Sequence, residues 1–566
     1  MNRYLNSKNT SFAISLLLFS ILVGILSIGK ATIAQQSSHP EGKEGGIDVS
    51  KKLGFPQSSP IKAASPNAPT LSKQQRAFLS NNTEETFKKV ITPFTNKSIA
   101  PPPNDTHTQT NLSNTISTAN KNIINHTSAT LSSSNGLFFH NIASQPIPLE
   151  FAKKFRIFEN KTVLPQSKDD NSNVSFHLRN EPSVASNGRV IFYVGNWYAA
   201  RSLDEGSTWK FSIIRSTDQD VIYDEQHHIF IWYRQGFNDD SGQNKFTISV
   251  SGDALNWRTY TVSPTTIFGP EWKHKWFDFP HLALTRNSLY IATNLMESAA
   301  EFNNFNRTFI ARISLDDLAT GNNPSFTYFF SEKVFGFAPV QGATDVMYWA
   351  AHLTNDRMVV YKWKESEPAS KVIRIEKSIP AWTPSELSYS CPTFDNDYCA
   401  NADDRINAGW ISHGIIGFVW NVDKGGGFPW PYVDAATFRA NDTEYLGRPL
   451  LWSKDFAWQY AFVSPDSKGN LGMVATFGGN NTNPSVAVGI SGSNETVPLW
   501  KIVPIIIGGK PEGFSDEWGD YLRVRAYNNN NSLDGSTKFI ASGYTVEGTG
   551  NNRHIEPRLM IFGYTG

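Results

Sequence analysis

The chain has 566 residues, enough for two to four average domains or for one large repeat fold. Its 51 basic residues balance its 51 acidic ones, which argues against a nucleic-acid binder and against a strongly acidic tail. The 16 Trp and 38 Phe, scattered through short apolar runs, suit many half-buried strands.

The first element in chain order is an uncharged apolar run, residues 11–29, which follows Arg3 and Lys8. At about 1.5 Å per residue it approaches the thickness of a bilayer core. It is longer than the roughly 7–15 apolar residues of a signal peptide. An uncleaved signal anchor therefore competes with a signal peptide cut after Ala34, where Thr32-Ile33-Ala34 offers small residues. Either reading exports the remainder, as a membrane-anchored or secreted protein, and residues 1–34 are assigned to this segment. Residues 35–145 are rich in Ser, Thr, Asn, Pro and Lys without a sustained period, and are expected to form a disordered stalk. As a coil, roughly 110 residues reach on the order of 60 Å. Sequons at Asn81, Asn96, Asn104, Asn111 and Asn125, and later at Asn306, Asn441 and Asn494, permit N-glycosylation on an exported surface.

From about residue 146 the texture changes to short apolar-aromatic runs punctuated by Gly, Asn, Asp and Pro. Runs beginning at Arg189, Ile229, Leu289 and Ile415 read as strands, and no long helix is expected. The pattern repeats, with polar leaders at Glu181, Asp220, Asp278, Asp345, Arg405, Tyr460 and Asp520. Seven irregular units of about sixty residues suit an all-β propeller of four-stranded blades spanning 146–566, with six blades as the alternative. Two cysteines, Cys391 and Cys399, fall in a polar loop, and in an oxidising compartment they are expected to form a local disulfide.

One turn is more specific than the rest. Residues 202–209 read Ser-Leu-Asp-Glu-Gly-Ser-Thr-Trp, in which Ser202, Asp204 and Thr208 can bond nearby backbone N–H groups. Gly206 can take a positive φ, and Trp209 anchors the next strand. A weaker copy runs from Ser251 through Asp253 to Trp257, with Leu255 in place of the glycine. This octamer resembles the Asp-box of sialidase-like (BNR) β-propellers. Asn180-Glu181-Pro182-Ser183 and Trp518-Gly519-Asp520-Tyr521 resemble segments near the two ends of such propellers. The resemblance covers about residues 146–566; it implies a propeller in which the Asp-box is a structural turn, and leaves the activity open. Sialidases proper use an arginine triad, an acid/base Asp and a Tyr–Glu nucleophile pair. Phe155-Arg156-Ile157-Phe158 is similar to their first-arginine motif without its proline, so Arg156 alone carries over as a ligand-binding candidate.

A propeller's innermost strands line its axial channel, so the polar leaders should converge at one mouth. This gathers Glu181, Asp220, Asp278, Asp404 and Asp520, with His281, Arg405, Tyr460 and Tyr521 nearby. Glu181, Asp220, Asp278 and Asp520 are the catalytic candidates, because crowded carboxylates raise one another's pKa and can keep one acid protonated beside an ionised partner. The same oxygens could hold Ca²⁺, the one cofactor considered, or simply line a wet channel. His281, Arg405 and Tyr521 are ligand-binding candidates, as are Trp272 and Trp430, whose rings suit sugar faces or a protein partner unless they are packed. No phosphate-binding Gly loop, His-Glu-x-x-His or Gly-x-Ser-x-Gly elbow is present. The sequence thus points to a surface propeller, a monomer, that binds glycans or a protein partner; the alternative is a glycan-active hydrolase.

Overall fold

The computed structural model describes residues 42–60 apart from 55, residues 155–163, and residues 180–565 with breaks that include 298–304, 392–397, 509–517, 520 and 528–536. The apolar run, most of the expected stalk and Asp520 lie outside the described residues. No helix among those described is long and apolar enough to cross a membrane.

The described chain is all-β and propeller-like, with short α-helices only at Pro264–Phe268 and Leu315–Thr320. Strands Ser183–Ser186, Ile191–Gly195, Tyr198–Ser202 and Lys210–Ile213 make the first antiparallel sheet, in that order. The second follows with Gln219–Asp224, Ile229–Gln235, Phe246–Ser251 and Asn256–Val262, and the third with Trp276–Leu284, Ser288–Met296, Phe305–Ser314 and Ser325–Ser331. Ala338–Gln341 opens the next meander and Ile406–Ser412 the one after it. These two join edge to edge where Val340 and Gln341 pair in parallel with Gly409 and Trp410. Ala457–Pro465 leads the following sheet. The last is built from Arg523–Ala526, Thr537–Glu547 and His554–Tyr564, and is completed at its outer edge by Phe155–Thr162 from the other end of the fold.

The leading strands lie side by side in succession, and Arg523–Ala526 touches both Ala457–Pro465 and Ser183–Ser186, which closes the ring. Sheets stacked face to face bury both sides of their strands, which is why Ser288–Met296 and Leu471–Gly479 are buried throughout. Aromatic rings fill the space between sheets. Phe192 meets Trp232 edge-on at 5.1 Å, Tyr290 meets Trp363 at 5.7 Å, and His352 meets Trp420 at 4.7 Å.

The stalk expectation needs one correction. Glu44–Lys52 pairs antiparallel with Ser325–Ser331, and Gln57–Pro60 with Asn256–Thr259, so each adds a fifth strand to an outer edge. Glu44 also pairs with Arg374 and accepts from Tyr361 of the neighbouring sheet, while buried Leu53 bonds Pro324 O. Low apolar content hid these strands from the sequence reading. Backbone pairing to an open edge supplies what the side chains lack.

Candidate functional site

The Asp-boxes form the turns their sequences demand. Ser202 Oγ donates to Asp204 Oδ1 at 2.8 Å, and Asp204 accepts Thr208 N at 2.8 Å and Thr208 Oγ1 at 2.6 Å. Gly206 has φ 81°, and Trp209 is buried with its indole N–H on Gly206 O. In the second box Asp253 accepts Leu255 N and Asn256 N, each at 2.9 Å, and Ala254 takes φ 53° near the place of the missing glycine. Trp257 is again buried. Each box joins the third and fourth strands of its sheet and stands apart from the leading strands that surround the axis.

Several polar leaders do come together. Left-handed backbone occurs at or beside three of them, at Glu181 just before its strand (φ 58°) and inside the leading strands at Phe279 next to Asp278 (φ 54°) and at Tyr460 (φ 56°). Bulges at Asp278/His281 and Gln459/Phe462 accompany the last two. Such conformations cost about 1–3 kcal/mol each, so the surrounding contacts hold them in place. Glu181 accepts Asn196 Nδ2 at 2.8 Å and lies against Gly519, where a Cβ would collide with it. Burial, with the carboxylates of Asp218 and Glu181 next, raises the Tyr521 hydroxyl well above its usual range. Burial, with Asp218 and Asp278 nearby, does the same to Tyr233. Glu181, Asp218, Asp278 and Tyr521 thus share one end of the channel.

Deeper along the axis sits an ion cluster that sequence reasoning only half found. Asp220 accepts Arg525 Nη2 at 2.9 Å, pairs with Arg523 Nε at 3.3 Å, and accepts Ser183 Oγ and Leu282 N. Burial would raise its pKa, but Arg523 and Arg525 outweigh that and hold it below the carboxylate range. Arg523 also donates to Pro280 O and stacks over Phe462 and Tyr521 at 4.6 and 4.1 Å. His281 is 1 % exposed and faces Phe462 and Phe279; burial, then Arg523, keeps its ring neutral. Asp218, Gln341, Arg523 and Arg525 were not candidates from sequence. The available signal was the alternation Tyr521-Leu-Arg523-Val-Arg525, which puts three polar side chains on one strand face.

These contacts and others like them enclose several of the candidate residues. Asp220 is 0 % exposed and ion-paired with Arg523 and Arg525 inside the channel. Arg405 is buried against Asp403 and over the Phe279 ring at 4.5 Å, and His281 and Tyr521 are likewise enclosed. Arg156 lies on the outermost strand of the last sheet, with Nη1 on Phe155 O, far from any inner strand in the pairing order. Trp272 is packed under Arg307 and against Phe268, and Trp430 donates to Lys454 O while resting on the core. Among the described residues no group of three His, Cys, Asp or Glu is arranged to hold a metal ion.

The disulfide Cys391–Cys399 is formed. Tyr398 and Asn401 beside Cys399 meet the strand-start end of the channel: Tyr398 Oη donates to Ala457 O, Tyr460 Oη to Tyr398 O, and Asn401 Nδ2 to Trp518 O. Just beyond it, burial and then Asp403 push the Asp404 carboxyl up to about 7.

The opposite end of the channel is open. A cavity of about 540 Å³ lies where six of the leading strands finish, with Ser186, Leu284, Gln341, Ser464 and Arg525 in its wall and Glu225 at its side.

Fold and site together define a propeller-like all-β protein with a charged, largely enclosed axial channel. No family model and no curated protein matches the chain. Among solved structures it is similar to a Trypanosoma rangeli sialidase mutant displaying trans-sialidase activity, at 12 % identity and TM-score 0.34, over 59 % of this chain and 57 % of that one. It is also similar to a Penicillium chrysogenum alpha-L-arabinanase complexed with arabinobiose (11 % identity, TM-score 0.33, 59 % and 89 % covered) and to an Aleuria aurantia lectin mutant in complex with alpha-methyl-L-fucoside (9 %, 0.31, 57 % and 94 %). At such scores the functional reading stands on this chain's own residues.

Proposed function

We propose that this is an exported, surface-displayed propeller of seven blades that binds glycans at the ends of its channel without cleaving them. One observation carries the preference for binding. Two of the four candidate carboxylates are engaged within the channel, Asp220 between two arginines and Glu181 between Asn196 and Gly519. The blade count is supported by the ring of leading strands, each with its own meander. Export is supported by the apolar run and by the bonded cysteine pair. Immobilised glycans probed with the full chain test the reading. Capture of a defined subset supports it, and no capture on any glycan overturns it.

A second reading has one specific observation in its favour. Asp404, raised to about 7 beside the Arg405-paired Asp403, is a carboxyl able to stay protonated next to a charged neighbour. As a glycan hydrolase the protein would use Asp404 as its general acid. Release of sugar that disappears in Asp404→Asn would favour this reading over binding.

A further inference from the structure

We propose that Trp197 and Phe237, stacked at the strand-start end of the channel, form a platform for the face of a neutral sugar ring whose hydroxyls bond the amide oxygens beside it. The proposal rests on the glycan-binding reading and assigns the sugar class and the residues that take it.

The two rings stand at matching places in neighbouring sheets. Asn196 and Trp197 make the tight turn between Ile191–Gly195 and Tyr198–Ser202, and Phe237 follows Ile229–Gln235. Both turns lie at the end from which Ser183–Ser186 and Gln219–Asp224 start. The ring centroids are 5.1 Å apart with the planes inclined by 27°. Trp197 is half-buried, and Phe237, 42 % exposed, is the only exposed aromatic side chain among the described residues. A stacked pair left in water presents flat apolar faces, against which the C–H face of a pyranose packs while its hydroxyls point sideways.

The backbone holds the pair in place. Trp197 takes φ 78°, a left-handed conformation that bulky residues rarely adopt. Its N–H donates to Ser216 O at 3.0 Å, and Ile214 N donates to Trp197 O at 2.8 Å. Ser216 Oγ donates in turn to Gln235 O, so one residue ties together the two ring-bearing segments.

Buried amides supply the polar half of the site. Asn196 is 8 % exposed, and its Nδ2 donates to Glu181 Oε2 at 2.8 Å. That bond fixes which way the amide faces, and Asn196 Oδ1 has no hydrogen-bond partner among the described residues. Gln235 is 4 % exposed, and its Oε1 also has none among them. An enclosed amide oxygen without a donor is costly, and a ligand hydroxyl supplies the donor. A carboxylate brings no donor and would approach the acid bonded to Asn196, so a neutral ring is taken over an acidic one.

The test is capture of the full chain on immobilised neutral and sialylated glycans, with the melting of two variants followed in parallel. Wild type is expected on neutral glycans. Phe237→Ala, at an exposed position, should keep the wild-type melting temperature and weaken that capture by about tenfold or more, the loss of one stacked ring. Trp197→Gly should melt at or above the wild-type temperature, because glycine accepts the left-handed turn, and should also lose capture. Capture confined to sialosides, or undiminished capture by either folded variant, overturns the proposal and leaves the glycan reading standing. Loss of capture only where melting falls as well marks the rings as structural and overturns it too. No capture on any glycan refutes the two together.

Discussion

Arg525 and Asp220 meet at 2.9 Å inside the channel although 305 residues separate them in the chain. The contact joins the last leading strand to the second, and Ser183 of the first strand bonds the same carboxylate. Three strands around the closure of the ring therefore depend on one acid. Removing its charge strands two buried cations, whose desolvation is no longer offset.

Asp220→Asn is accordingly expected to destabilise the fold by about 3–5 kcal/mol, the range for breaking a buried ion pair by removing one partner. Urea unfolding followed by tryptophan fluorescence measures this. Asp220→Asn combined with Arg525→Met should recover part of the loss, since the orphaned charge is gone. A neutral single variant would show that the cluster does not secure the ring.

The second Asp-box predicts an acid-side effect. Burial opposes ionisation of Asp253, but the N–H groups of Asn256 and Leu255 and the Ser251 hydroxyl pull its pKa down to about 2. The folded pKa is depressed, so the stabilisation is present above the unfolded value near 4 and fades as pH falls towards 2. Asp253→Asn should flatten stability against pH across that interval. An unchanged slope would contradict the turn's role.

A basic-side effect comes from His227, which bonds Asp224 at 2.5 Å through Nδ1 and Asp316 at 2.9 Å through Nε2. Burial lowers its pKa, but Asp224 and Asp316 outweigh it and raise the net value. The added stability is therefore full below the unfolded value near 6.5 and is lost as pH rises through the folded pKa. An NMR titration should place the His227 midpoint above 6.5, and His227→Gln should remove that part of the pH dependence of melting. A midpoint at or below 6.5 would contradict the bridge.

The outer-edge strands predict the behaviour of fragments. A chain beginning at residue 146 lacks Glu44–Lys52 and Gln57–Pro60, leaving the Ser325–Ser331 and Asn256–Val262 edges open. It should melt several degrees lower than a chain beginning at residue 35 and associate through those edges. Gly46→Val, whose Cβ would collide with Ala369 O, should reproduce part of the effect in the longer chain. Identical melting of the two chains would show that the added strands are idle.

How much of this was legible in the sequence depended on whether the signal was local. The Asp-boxes were read in full because every bond in them lies within about five residues, and the Cys391–Cys399 loop is equally short-range. Alternation and turn residues gave the strands, and the polar leaders gave one end of the channel. Which polar residues face a ligand and which face each other was not legible. Asp220 and Asp278 look alike in sequence, and only the arrival of Arg523 and Arg525 from the far end of the chain distinguishes them. The place of Arg156 was hidden for a related reason: its tripeptide is local, while its strand closes the outer edge of the last sheet by pairing with the far end of the chain. The strands at 44–60 carry few apolar residues, and their pairing comes from a partner edge that no local pattern announces.

The most direct test of the central claim is incubation of the full chain with a mixed glycan panel, sialosides included, and mass spectrometry of the products. The account predicts that glycans are bound and recovered intact, with wild type and Glu181→Gln indistinguishable in product profile. Released sugar from wild type that is lost in Glu181→Gln or Asp404→Asn would contradict it and make the channel a catalytic one.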